Sequence, residues 1–196
     1  MCVKFDSVSL AKMLLSENKI NSILEIGCGD GRVIGQFGYV AIREGIDFSQ
    51  ERLNRAKENF PDVIFKLVDI RNVIDFYDID SFDCVLLFDV LEHLEAAESA
   101  KLLMCAEAIA RKAVVVWGPL GEDGLYFNVP NDDDPVGMKH VSIIDKNIFE
   151  NRKYQVMVLP EYWLVGKRRS RTADAMLAIR WQSPMAVCNQ VGGDRG

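Results

Sequence analysis

The sequence predicts a single α/β domain built on a mostly parallel sheet with an antiparallel edge. Three observations carry that expectation. Compact apolar strand segments alternate with helical ones as far as Trp117, and three of those strands are each closed by an aspartate, Asp47, Asp69 and Asp89. Two further strand-like segments then follow one another without a helix between them, as a hairpin requires. At 196 residues, 49% hydrophobic and 27% charged, the chain suits one globule with a core of its own. The domain is expected over residues 1–183, with 184–196 as a frayed tail.

Ser9 to Leu15 reads as a short amphipathic helix, with Leu10, Met13 and Leu14 on its apolar side. Ser22 to Ile26 is an apolar strand running into Gly27-Cys28-Gly29-Asp30-Gly31, after which Arg32 to Phe37 continues as a helix. Tyr39 to Ile46 is the second strand, and Ser49 caps a helix through Phe60 with Leu53 and Ala56 inward. Val63 to Val68 is the third strand. An irregular stretch over Arg71 to Asp80 leads to the fourth, Phe82 to Phe88. A helix from Glu95 to Arg111 turns Leu102, Leu103, Ala106, Ile109 and Ala110 toward the sheet. Val114 to Trp117 is a fifth strand stopped by Gly118-Pro119, and Leu120 to His140 is a long polar excursion. Asp145 to Asn151 is helical, and Tyr154 to Leu159 and Ala175 to Trp181 form the closing hairpin around the basic turn Lys167 to Arg171.

Composition excludes several functions. A net charge of -6 makes a nucleic-acid partner a poor expectation, because that affinity rests on basic surface. No apolar run approaches the roughly 20 residues of a membrane span, and Met1 to Asp6 lacks the basic-then-apolar pattern of a secretory signal. The five cysteines have no paired spacing, so they read as reduced thiols, neither a disulfide framework nor a zinc site. A cytoplasmic location is therefore expected. No metal site is predicted, Asp132 to Asp134 being read as turn chemistry.

Ligands of open parallel sheets bind beyond the carboxyl ends of the strands, where strand order reverses. Asp47, Asp69 and Asp89, spaced roughly twenty residues apart, should line that rim. The glycine turn lets a ligand approach the backbone, yet Gly31 is followed by Arg32-Val33 and not by Lys and Ser or Thr, which excludes a Walker loop. Arg32 also stands where a dinucleotide fingerprint needs its third glycine, which disfavours NAD. An acidic rim without a matching lysine suits a ligand carrying hydroxyls, amines and positive charge.

The glycine turn with its preceding acid, Leu24-Glu25-Ile26-Gly27-Cys28-Gly29-Asp30-Gly31, is followed in order by Gly45-Ile46-Asp47-Phe48-Ser49 and Val68-Asp69-Ile70. Phe82-Asp83-Cys84-Val85 then runs into Asp89-Val90-Leu91-Glu92-His93-Leu94. Over about residues 20 to 120 this pattern resembles the class I S-adenosylmethionine-dependent methyltransferases, specifically the small-molecule type with a Leu-Glu-His motif after strand four. The resemblance implies a Rossmann-like, doubly wound, seven-stranded sheet. It assigns the methionine and ribose portion of S-adenosylmethionine to Gly27, Gly29 and Gly31, with Cys28 in the same turn and Glu25 orienting the loop or reaching the amino group. Asp47 would accept the ribose hydroxyls, Asp69 and Ile70 would read the adenine amino edge, and Phe48 would cover an adenine face. Asp89 would lie near the methionine end, and His140, ahead of His93, would touch the acceptor and supply any base.

Each assignment has a plainer alternative: Asp47, Asp69 and Asp89 as helix caps, Glu92-His93 as a helix-start pair, His140 as a loop residue, Cys28 as a small filler. The expected function is methyl transfer to oxygen or nitrogen of a small metabolite or sugar-like acceptor by a monomer or homodimer. The competing reading is a non-catalytic S-adenosylmethionine-binding or scaffolding protein. Adenine-amino DNA methylation is disfavoured because Asp89-Val90-Leu91-Glu92 stands where Asn or Asp followed by Pro-Pro-Tyr would be.

Overall fold

The computed structural model describes residues 7–122, 139–165 and 171–182. The expected tail, the basic turn and the centre of the long excursion, with Asp132 to Asp134, lie outside the described residues. Helix α1 (Ser7–Ser16) precedes β1 (Ser22–Ile26) and β2 (Ile42–Asp47), and α2 (Gln50–Asn59) leads to β3 (Ile64–Leu67) and β4 (Phe82–Phe88). Helix α3 (Ala96–Ile109) runs directly into β5 (Ala110–Leu120), followed by α4 (Lys146–Glu150), β6 (Gln155–Val165) and β7 (Arg171–Trp181).

The seven strands form one sheet in the order β3-β2-β1-β4-β5-β7-β6. Strands β1 to β5 pair in parallel, whereas β7 is antiparallel to both β5 and β6. The fold is thus the Rossmann-like, mostly parallel sheet expected, with one refinement: the hairpin places its second strand inside and its first at the edge. The residues explain this. Strand β7 buries Ala175, Met176, Leu177, Ala178 and Ile179, a continuous apolar run that needs cover on both faces. Strand β6 carries Pro160 and a register irregularity between Leu159 and Trp163, features tolerated where one side of a strand is open.

Both faces of the sheet are covered. Leu15 of α1 and Leu53 and Ala56 of α2 share one core with Cys84, Leu86 and Phe88 of β4. Leu102, Leu103 and Ala106 of α3 and Phe149 of α4 share the other with Phe82, Val85 and Leu87. From Cys84 onward alternate residues of β4 therefore feed opposite cores, as the pleat requires, and the register shift between Phe82 and Cys84 turns Phe82 to the same side as Val85.

Two expected elements differ. The helix predicted over Arg32 to Phe37 is only a 3-10 turn, Ile34–Gln36. Gly35 lies in it and Gly38 just beyond; a Cβ at Gly35 would stand 2.3 Å from the Phe60 ring, so glycine is retained for packing at the expense of helix propensity. Gly118-Pro119 does not stop the fifth strand. Strand β7 pairs with β5 as far as Leu120, while β4 pairs only to Trp117, which leaves β5 an open side on which a residue without an N–H is tolerated.

Asp83 lies at the amino end of β4, opposite the ligand edge. It accepts from the Asn21 amide at 2.8 Å, pairs with Arg111 at 2.8 Å and with Lys112 at 3.2 Å, and its side chain is 3% exposed. Burial pushes its carboxyl up, but the Asn21 amide, Arg111 and Lys112 together hold it below the usual carboxylate range. A carboxyl lowered on folding contributes stability that is complete above its unfolded value, about 4, and is lost as pH falls through the folded value. Asp83→Asn should cost about 2–3 kcal/mol at neutral pH, less as the solution is acidified below pH about 4, which urea melts at several pH values would read. A pH-independent difference would remove ionisation of Asp83 from the account.

Candidate cofactor and acceptor site

The strand order reverses between β1 and β4, and the glycine turn leaves β1 at that point. Gly27, Gly29 and Gly31 have φ of +77°, +53° and +80°, in the left-handed region that a Cβ disfavours. Two of them also have no room for one: a Cβ at Gly27 would meet Val90 Cγ2 at 2.6 Å, and one at Gly31 would meet Phe65 Cζ at 2.8 Å. Gly29 differs, since nothing stands within 4 Å of its Cβ position. That is the open side along which a ligand can reach the backbone.

Glu25, 2% exposed, holds the turn from below by accepting from the Ile34 amide at 2.9 Å. Of the two roles expected for it, orienting the loop is the one its geometry displays. Burial drives its carboxyl well above the usual range against that hydrogen bond, with Asp47, Asp30 and Asp89 adding to the rise. Cys28 is buried against β2, where a Cβ on Gly45 would meet its Sγ at 2.8 Å, and burial pushes its thiol strongly up. It contributes to the turn through its backbone, whose N–H donates to Ile46 O at 2.9 Å.

Asp47 ends β2 with 2% exposure and does not cap α2, a task Ser49 performs by accepting from the Arg52 amide. Its two oxygens instead accept from Gly29 N at 2.9 Å and Ser49 N at 2.8 Å, tying the glycine turn to the second strand. Asp69 does cap: it accepts from the Arg71 amide at 3.0 Å at the start of the 3-10 turn Ile70–Asp75. It is also gripped bidentately by the Arg71 guanidinium at 2.9 and 2.7 Å, which holds its carboxyl below the usual range. Asp89 follows β4 at φ +51°, a position Asp tolerates better than most side chains, and the N-cap of the next 3-10 turn, Leu91–His93, is Val90 without a side-chain bond. Desolvation by the surrounding protein lifts the Asp89 carboxyl.

A cleft of about 350 Å³ brings together Gly27 and the three rim aspartates, whereas Glu25, Cys28, Gly29 and Gly31 are not among its lining residues. Gly27, Asp47 and Asp89 line it with Phe48, Asp69 and Ile70, and Val90, His93, Leu94 and Val141 complete it together with Arg71 and Lys139. The volume falls within the usual range for small-ligand sites, and the lining combines apolar walls with a few convergent polar groups. Arg71 and Lys139 went unnoticed in the sequence. Arg71 had a visible signal, an arginine two positions after a strand-ending aspartate, but Lys139 is brought in only by the return of the chain from the long excursion.

His140 is not itself among the lining residues, yet its ring stands edge-on to that of His93 with centroids 4.7 Å apart. The segment carrying it is pinned to the Leu91–His93 turn: the amides of Val141 and Ser142 both donate to Glu92 O, at 2.8 and 3.2 Å, and Ser142 Oγ donates to Leu91 O at 3.2 Å. Glu92 beneath them is 2% exposed, and burial together with the nearby Asp89 drives its carboxyl well above the usual range.

Residues 23–112 match the methyltransferase domain family. The matched stretch runs from β1 to the start of β5 and contains the glycine turn and all three rim aspartates. The O-antigen chain terminator bifunctional methyltransferase/kinase WbdD of Escherichia coli is 31% identical over 124 residues, a match that covers 58% of this chain and 17% of WbdD, so this chain spans only a small part of that relative. Among solved structures, the magnesium protoporphyrin IX methyltransferase ChlM of Synechocystis PCC 6803, with bound S-adenosylhomocysteine, superposes with a TM-score of 0.64 at 14% identity, covering 89% of this chain and 80% of ChlM. A SAM-dependent methyltransferase of Archaeoglobus fulgidus gives 0.59 at 17% identity, covering 89% of this chain and 95% of that one. These likenesses establish the shared fold. Among the described residues no helix is long and apolar enough to cross a membrane.

Proposed function

We propose that the protein is an S-adenosylmethionine-dependent methyltransferase acting on an oxygen or nitrogen of a small acceptor. The observation that carries this reading is the convergence of Asp47, Asp89 and Gly27 of the glycine turn on one cleft at the reversal of strand order. The residues suit that cofactor. Asp47, already oriented by two amides, keeps lone pairs for a diol, and Phe48 and Ile70 offer flat and apolar surface for a base. Asp69 must share its carboxylate with Arg71, so an adenine amino group would meet an acceptor already held in place. Asp89, whose carboxyl desolvation raises, lines the same cleft as Gly27 and would face the methionine end.

S-adenosylmethionine supplies a methyl group on a sulfonium, activated for direct displacement. The chain's task is then to fix the angle of approach and keep water out. The glycine turn and Asp47 hold one partner, while Val90, Leu94 and Val141 wall the space next to His93 where the other arrives. His93 and the neighbouring His140 are the side chains at that end that would contact the acceptor.

Calorimetry with S-adenosylhomocysteine, followed by transfer of a radiolabelled methyl group to pools of small metabolites, tests the reading. Saturable binding and labelled product are expected. Binding without transfer to any pool would favour the scaffolding alternative, and no binding by folded protein would overturn the proposal.

A further inference from the structure

Glu92, His93 and His140 form a cluster that binding of a nucleoside cofactor leaves unused. Each offers one ligand atom, and those atoms all lie within 4.8 Å of one another; His93 Nε2 stands 4.0 Å from Glu92 Oε1. Glu92 is 2% exposed, and its Oε1 has no hydrogen-bond partner among the described residues. A buried carboxylate oxygen without a donor is costly, and a cation is one of the few partners that removes that cost.

The surroundings hold the cluster in place. His93 Nδ1 is 3.4 Å from Lys139 O, a contact that sets the ring with its Nε2 edge toward Glu92, in the way a carbonyl orients a metal-binding imidazole. The amides of Val141 and Ser142 fasten the neighbouring stretch of chain, and so His140, to Glu92 O. The Glu92 carboxylate lies over Gly118 of β5, where a Cβ would stand 3.4 Å from Oε2. Ligand atoms bound at about 2.0–2.2 Å to one ion stand roughly 3–3.5 Å apart. Rotations of side chains on this backbone, closing about 1 Å, would bring the three onto one ion.

We propose that Glu92, His93 and His140 bind a divalent metal ion at the acceptor end of the cleft. Two imidazoles and one carboxylate suit zinc or manganese better than magnesium or calcium, which favour all-oxygen sets. Three protein ligands leave coordination positions open, and His93 lines the cleft, so an open position faces the arriving acceptor. The acceptor class that follows has an oxygen able to bind the ion, such as a hydroxyl or phosphate; this last clause rests on the methyl-transfer reading, whereas the metal site does not.

The test uses the full chain stripped with chelator and titrated separately with Zn²⁺, by calorimetry, and Mn²⁺, by electron paramagnetic resonance. One equivalent of at least one ion should bind, and Glu92→Gln, His93→Ala and His140→Ala should each weaken it at least about tenfold. Circular dichroism and S-adenosylhomocysteine affinity serve as controls, and His140→Ala, on the margin of the fold, covers the case in which Glu92→Gln fails to fold. No saturable uptake of either ion by the unaltered chain, or uptake that every folded variant retains, overturns the site. Metal uptake lost in the variants, in a protein that never binds S-adenosylhomocysteine, would keep the site and discard the methyl-transfer reading.

Discussion

Asp47→Ala should weaken S-adenosylhomocysteine binding by about 1–3 kcal/mol, a rise in Kd of roughly fivefold to 150-fold, and lower stability as well. The effect has two sources. The carboxylate is 2% exposed and accepts from the amides of Gly29 and Ser49, so its removal leaves two part-buried N–H groups without their acceptor and loosens the turn that carries the open glycine. It also deletes the acceptor proposed for the ribose diol. Asp47→Asn separates these sources, because its single carbonyl oxygen can serve one amide but not both. Calorimetry on the two variants should rank unaltered chain, Asn, Ala in falling affinity. Equal affinity for all three would remove Asp47 from the ligand's surroundings, whatever happened to the melting temperature.

Gly27→Ala should destabilise the fold by about 3 kcal/mol. Left-handed backbone costs an L side chain about 1–2 kcal/mol, and crowding a packed interior adds about 1–3 kcal/mol. At this position φ is +77° and the new methyl would stand 2.6 Å from Val90 Cγ2. The two terms can be measured apart. Val90→Ala removes the methyl groups in the way, so the double variant should regain the crowding part and keep the backbone part. Urea melts of the four combinations give the coupling between the two sites. Additive losses would mean that Val90 yields freely and the backbone angle alone forbids a side chain.

Much of this arrangement was written along the chain. The strand-ending aspartates Asp47, Asp69 and Asp89 lie where the alternation of apolar segments placed them, since a short acidic side chain after an apolar run marks the end of the run. Phe82–Phe88 is the predicted fourth strand without adjustment, being apolar at nearly every position and covered on both faces. The helix expected after Gly31 failed because a local pattern cannot reveal that Phe60, a distant residue, presses on Gly35. The inward position of β7 was hidden for a related reason: hairpin geometry says which strands pair, not which of the two the rest of the sheet will accept.

The sequence by itself determined the alternation of layers, the glycine turn and the acidic rim, because each depends on residues close together whose side-chain period or backbone freedom is a local property. Only the tertiary structure decided that Lys139 reaches the cleft, and that His140 shares one small space with Glu92 and His93, beside a buried carboxylate oxygen unserved among the described residues. Those are meetings between segments far apart along the chain, and they arise from sheet order and loop return, which no local periodicity encodes.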